Sequence, residues 1–153
     1  MIKRKKNINI TAVILTYNEE LHIGRCIKAL KSFVKEIIVI DSNSNDNTIK
    51  ICKQNKIRIY NNKFINQAKQ MNWALKNVPI KTKWIFRIDA DEIVENSFFN
   101  KVGYLIECKK NISCILIERK IKFLNKIINY GLTSPHKTLR IWRNGYCKYQ
   151  NLN

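Results

Sequence analysis

The residue order predicts an α/β fold: an open, mostly parallel sheet with flanking helices. Three observations lead there. β-branched runs of strand length recur through the first two thirds of the chain, segments with apolar residues at helical spacing separate them, and polar or acidic sets follow three of the runs directly. Strands that alternate with helices imply crossover connections, and crossovers of that length imply parallel pairing. With 153 residues and 45% hydrophobic content, the chain suits one soluble domain around a single core.

Ile8 to Leu15 reads as a buried first strand that stops at Thr16-Tyr17-Asn18. Asn18 is placed to cap a following helix, with Glu19 and Glu20 in its first turn and Leu21, Ile27, Leu30 and Val34 as its apolar stripe. Glu36 to Ile40 is a second strand ending at Asp41; SNSND then supplies a turn and a cap for a helix through Ile49 and Cys52, and Ile57 to Tyr60 is a short third strand. From Phe64 to Val78 a helix is predicted with Ile65, Ala68, Asn72 and Leu75 on its inner face, ended by Pro79. Trp84 to Ile88 is a fourth strand, and Asn96 or Ser97 opens a helix with Phe98, Val102, Leu105 and Ile106 buried. Beyond Ser113 the segments Cys114 to Glu118, KIKFLNKIINYG and Leu139 to Arg143 read as shorter strands and loops.

Composition narrows the classes. The 29 Lys and Arg against 11 Asp and Glu give +18, which suits a polyanionic partner or, equally, a solvated lysine-rich surface. The five cysteines are odd in number and never form C-x-x-C, so neither a disulfide framework nor a zinc site is indicated and a reducing cytosol fits. The basic start MIKRKKNIN runs into INITAVIL rather than a secretory core, and no apolar stretch approaches the roughly 18 residues that span a bilayer. The location expected is cytoplasmic, with peripheral contact at the inner face of the cytoplasmic membrane.

In open parallel sheets, ligands bind outside the carboxyl ends of the strands. Thr16 to Glu20, Asp41, and Asp89 to Glu92 all fall at such ends. Each set has a plain alternative as cap, turn or helix-start decoration, but together they suit a nucleotide diphosphate with Mg2+ or Mn2+, hard cations held by one or two carboxylates plus phosphates and water. Asp89 and Asp91 fit the metal; Asp41, an acceptor, fits base or ribose donors. Neither G-x-x-x-x-G-K-[ST] nor G-x-G-x-x-G is present, so P-loop and dinucleotide-binding readings lack support.

The succession AVILTYNEE, EIIVIDSNSNDNT, QAKQMNWAL and WIFRIDADE resembles the inverting family 2 glycosyltransferases of the GT-A fold, and LTSPHKTLRIWRNG resembles the bacterial branch containing lipopolysaccharide-core glucosyltransferases. The resemblance implies transfer from a nucleotide-sugar donor, of UDP type, to a glycolipid or saccharide acceptor. It assigns the nucleobase to Asp41, ribose and metal to Asp89, metal to Asp91, the nucleotide pocket to Thr16, Tyr17, Asn18 and Glu20, and a flanking helix motif to Gln70 and Asn72. Residues 1–112 would bind the donor, and 113–153 would begin the acceptor side of the single 1–153 domain. Asn43 stands where the family often has glycine, at a turn position that favours positive φ.

A larger departure lies in the tail, where Arg119 to Asn153 contains no Asp or Glu. Inverting transfer needs a general base, which the family supplies as a downstream carboxylate. The chain therefore reads as a transferase shortened at its C-terminus, with no catalytic base and His136 as a weak substitute. Tail residues Arg119, Lys120, Lys122, Lys126, Lys137, Arg140 and Arg143, interleaved with Phe123, Leu124, Ile127, Ile128 and Trp142, suit an anionic membrane surface or a solvated edge. The rival functions are a sugar nucleotidyltransferase and a basic nucleic-acid-binding module. The first wants a Gly-rich phosphate loop and the second a basic-aromatic exposed face, so no nucleic-acid partner is expected.

Overall fold

The computed structural model describes residues 7–109, 111–124, 126–128 and 136–150, without the side chains of Asn96, Lys122, Phe123 and His136. In chain order the elements are β1 (Ile8–Thr16), α1 (Ile23–Leu30), β2 (Val34–Asp41), α2 (Thr48–Gln54), β3 (Arg58–Asn61), α3 (Gln67–Asn77), β4 (Trp84–Asp89), α4 (Asn96–Cys108), β5 (Cys114–Arg119), β6 (Ile121–Phe123), β7 (Lys126–Ile128) and β8 (His136–Arg143). The main sheet has the order β3-β2-β1-β4-β8-β5, and β6 and β7 form a separate ribbon. β1 pairs in parallel with β2 and β4, and β2 with β3. β8 is antiparallel to both β4 and β5. Residues on both sides of position 112 thus build one sheet, mostly parallel as predicted.

Two apolar layers hold it. On one face α1, α2 and α4 bury Ile23, Ile27, Leu30, Cys52, Phe99 and Val102 against Ile10, Ala12, Ile14 and Phe86. On the other, α3 places Met71 and Ala74 against Val13, Ile38, Ile40, Ile85 and Trp142. The alternation along β1 and β4 follows from the period-2 geometry of strands, which sends successive residues to opposite layers.

Two helices differ from the sequence reading. α1 begins at Ile23 with His22 as its cap residue, so Asn18 caps nothing. Asn18 sits at φ 54, which turns the chain out of β1 before a helix can start; Leu21 is exposed and Val34 opens β2. α3 begins at Gln67, capped by the Asn66 side chain accepting from Lys69 N at 2.8 Å, and buries Gln70, Met71 and Ala74. Its inner face is therefore rotated from the predicted Ile65–Ala68–Asn72–Leu75 stripe, and Ile65 is exposed. A polar residue at the buried centre of the stripe, Gln70, hid the true phase. Asn43 does take positive φ, at 62, as its turn position requires.

Candidate functional site: a polar rim at the carboxyl ends of the strands

The register brings the predicted polar sets together. Thr16 pairs with Asp41, Asp41 with Asn61, and Leu15 with Asp89, so four strands end along one rim. β1 has β2 on one side and β4 on the other, which makes this the switch point where open α/β sheets form a crevice.

Two loops are laced together there. Asp41, 1% exposed, accepts from Thr16 Oγ1 at 2.9 Å and Ser44 Oγ at 2.6 Å on Oδ1, and from Ser44 N at 2.8 Å on Oδ2. Asn18 N donates to Ser44 Oγ at 2.9 Å, and Asn45 N donates to Asn18 Oδ1 at 2.9 Å. Glu19 N donates to Thr48 Oγ1 and Glu20 N to Asp46 Oδ2, while Glu20 Oε2 accepts from Asn47 N and Nδ2. Buried or half-buried loop amides need such partners. Tyr17, 60% exposed, stands beside this lacing with its ring in solvent.

Gln70 is buried and engaged: it accepts from Asn62 Nδ2 at 2.6 Å and donates to Ser42 Oγ and Asn62 O, each at 3.1 Å. It braces the turn after β2. Asn72 points elsewhere, donating to Tyr149 O and accepting from Tyr149 N, both at 2.8 Å. This doublet ties the segment after β8 to α3.

The second half of the rim is acidic. Asp89, half-buried at the end of β4, accepts from Arg87 Nη2 at 3.2 Å on one oxygen and Arg140 Nη2 at 3.1 Å on the other. Burial pushes its carboxyl up, but Arg87 and Arg140 more than offset this and hold it below the usual carboxylate range. Glu92 accepts from Arg140 at 2.6 Å and Arg119 at 3.1 Å, and its other oxygen accepts from Asp89 N at 3.2 Å. Asp91 is exposed, and its carboxylate makes no hydrogen bond among the described residues; only its backbone oxygen is used, by Arg25 Nη2. Glu19 lies close by, its carboxyl held up by burial and then by Asp91. Beneath, the buried Cys26 thiol is pushed up to about 12 by burial and then by Glu92.

A free carboxylate two residues from a half-occupied one fits a hard cation completed by phosphates and water. Among the described residues no group of three or more His, Cys, Asp or Glu is disposed to hold a metal ion.

Arg119, Arg140 and Arg143, which the sequence reading places in a basic tail, are engaged by other groups of the chain. Arg119 and Arg140 pair with the acids, and Arg143 donates to Ile112 O at 2.7 Å and lies over the Trp84 ring. Lys120, Lys126 and Lys137 are exposed. Arg140 was legible in principle: a charged residue inside an apolar strand run, as in TLRIW, needs a buried counter-charge. His136 opens β8 opposite Arg119, but its side chain lies outside the described residues, as do those of Lys122 and Phe123.

This mostly parallel sheet, with its polar and acidic rim at the switch point, is the GT-A fold. The family model for glycosyl transferase family 2 matches residues 11–147, and the chain belongs to that family. An uncharacterized glycosyltransferase of Rickettsia felis is 32% identical over 96 residues, covering 63% of this chain and 33% of that protein. The lipopolysaccharide core biosynthesis glycosyltransferase LpsC of Rhizobium meliloti is 28% identical over 149 residues, 92% of this chain and 53% of that one. The chain spans about a third of the length of the Rickettsia relatives it matches. Among solved structures, glucosyl-3-phosphoglycerate synthase of Mycobacterium tuberculosis in complex with UDP superposes with a TM-score of 0.59 at 20% identity, over 69% of this chain and 42% of that one. The same enzyme with Mn2+, UDP and glucosyl-3-phosphoglycerate gives 0.57 at 23% identity, over 69% and 42%. The family match favours neither rival function, nucleotidyltransferase or nucleic-acid-binding module. Among the described residues no helix is long and apolar enough to cross a membrane.

Proposed function

We propose that the rim binds a nucleotide-sugar donor, of UDP type, with Mg2+ or Mn2+, for inverting transfer of the sugar to a glycolipid or saccharide hydroxyl. The observation that carries this is the pairing of one free carboxylate, Asp91, with one held carboxylate, Asp89, beside the laced Thr16–Glu20 and Asp41–Thr48 loops. Tyr17 offers an exposed ring for the base, and Asp41, buried with Ser44 N on its Oδ2, would meet a base or ribose donor where the Ser44 turn opens. Thr16, Asn18, Glu20 and Gln70 keep those loops in place, and Asn72 secures the covering segment near Tyr149. Residues 1–112 supply most of this donor half, with 113–153 contributing Arg119 and Arg140.

Asp89 and Asp91 would hold the cation, which supplies charge neutralisation of the departing diphosphate. What the chain itself does is orient the donor along the strand ends and present its anomeric carbon to an incoming hydroxyl. The exposed Lys120, Lys126 and Lys137, with Leu124 at 82% and Ile127 at 49% exposure, support peripheral contact with an anionic membrane carrying the acceptor, on the cytoplasmic side. LpsC, by its name, acts in lipopolysaccharide core biosynthesis, which supports a cell-envelope acceptor here.

Calorimetric titration of UDP, GDP, CMP and ADP, each with and without Mn2+, tests the donor class. A metal-enhanced preference for UDP is the outcome this reading requires; absence of binding by all four nucleotides would end it.

A further inference from the structure

Arg140 sits on β8, next to β4, with its side chain 4% exposed. One nitrogen, Nη2, reaches Asp89 Oδ2 at 3.1 Å and Glu92 Oε1 at 2.6 Å. Glu92 in turn accepts from Asp89 N, so Arg140 closes the turn from Asp89 to Glu92 into one unit. Asp91 lies inside that turn.

Stability does not account for the arrangement. Nη1 of Arg140 is buried without a hydrogen-bond partner among the described residues, which leaves a desolvation cost unrecovered. Buried ion pairs are weak sources of stability in any case. Each acid also has a second cation: Arg87 for Asp89 and Arg119 for Glu92. The contribution peculiar to Arg140 is geometric, since it alone among these cations binds both acids. A carboxylate offers about four acceptor directions, and Asp89 uses two on the arginines. The rest are left for a ligand, in an orientation that Arg87 and Arg140 fix.

We infer that Arg140 is a positioning residue for the acidic rim: by gripping Asp89 and Glu92 together it sets the affinity of the Asp89–Asp91 pair for a divalent cation. The inference rests on the reading of the rim as a cation and diphosphate site. Groups that orient metal ligands from behind are typically worth about 10–100-fold in metal affinity.

The test measures Mn2+ binding by the electron paramagnetic resonance signal of free Mn2+, with and without UDP, alongside metal-free UDP binding and thermal melting. Arg140→Met removes the donors at similar length, and Arg140→Lys keeps the charge but ends one bond short of the Nη2 position that reaches both acids. Both variants are expected to lose about 10–100-fold in Mn2+ affinity and to keep metal-free UDP binding and a folded melting transition. Unchanged Mn2+ affinity in Arg140→Met, full recovery in Arg140→Lys, or equal loss of metal-free UDP binding would each overturn the role. Should Arg140→Met not fold, Glu92→Met removes the acceptor and cuts the cross-tie while leaving Arg140 on Asp89; it must also weaken Mn2+ binding, and an unchanged value refutes the inference. A wild-type chain that binds no Mn2+ even with UDP overturns the proposed function and this inference together, a result distinct from any difference between variants.

Discussion

Asp41→Asn isolates what the buried carboxylate does for the loops. In the wild-type chain, Oδ1 accepts from Thr16 Oγ1 and Ser44 Oγ, and Oδ2 accepts from Ser44 N at 2.8 Å. An amide has one oxygen. If that oxygen keeps the two hydroxyls, the amide nitrogen faces the Ser44 N–H, donor against donor. One hydrogen bond to a charged acceptor is lost, worth about 1.5–3 kcal/mol, and hydroxyl rotation cannot restore it because the lost donor is a backbone group. Against a total stability of about 5–15 kcal/mol this is large, and a loss of about 2 kcal/mol lowers the melting temperature by about 4–8 °C in a chain of this size. Thermal melting followed by tryptophan fluorescence measures it, and hydrogen exchange at Ser44 N locates it. Thr16→Val, which removes one hydroxyl donor and leaves the Ser44 contacts, should cost about 1 kcal/mol. Melting of Asp41→Asn within a degree of wild type, with Ser44 N still protected, would refute the lacing argument.

Asn72→Ala removes both bonds to Tyr149 and should expose the segment after β8 to limited proteolysis at a higher rate, with a stability loss of about 1–3 kcal/mol; equal cleavage rates would mean that Tyr149 is held instead by its ring, which packs edge-on against Trp142 and lies under Arg87. Glu19 is raised by burial and then by Asp91, against a smaller opposing pull from His22. An acid raised on folding contributes stability that is fully present below its ordinary value and lost as pH rises through the raised one, so Glu19→Gln should raise the melting temperature more at about pH 7 than at about pH 4; a difference independent of pH contradicts this. With no Asp or Glu after Glu118, the 153-residue chain should bind donor yet transfer sugar slowly, since general-base assistance is typically worth about 10²–10⁴-fold. Rapid transfer to a saccharide acceptor would contradict that, and loss of it in His136→Ala would make histidine the base.

Strand positions were legible because β-branched runs flanked by polar turns admit few alternatives: the prediction of Ile8 to Leu15 and Trp84 to Ile88 falls within one residue of β1 and β4. Their shared rim followed from parallel pairing. Helix phase was harder to read. In α3 the buried position is taken by Gln70, whose amide is satisfied by Ser42 and Asn62 from other elements, and no periodicity rule anticipates a buried polar residue. The start of α1 is ambiguous in the sequence because asparagine serves equally as a cap and as a left-handed turn residue, the role Asn18 takes. For Arg140, the apolar run TLRIW signals a need for a buried counter-charge but not which one: only the antiparallel insertion of β8 beside β4 brings it to Asp89. Pairings 51 residues apart are a property of the topology.

The central claim is that Asp91 and Asp89 form a cation-dependent nucleotide-diphosphate site at the strand ends. Calorimetry of UDP with and without Mn2+, run in parallel on the wild-type chain and Asp91→Ala, tests it most directly. Asp91 is exposed and free of side-chain hydrogen bonds among the described residues, so its removal should leave melting unchanged. The account predicts that Mn2+ tightens UDP binding in the wild type and that Asp91→Ala abolishes this gain while metal-free binding persists. Undiminished Mn2+ dependence in Asp91→Ala would contradict it and leave the acidic run after β4 as the start of a turn held by arginines.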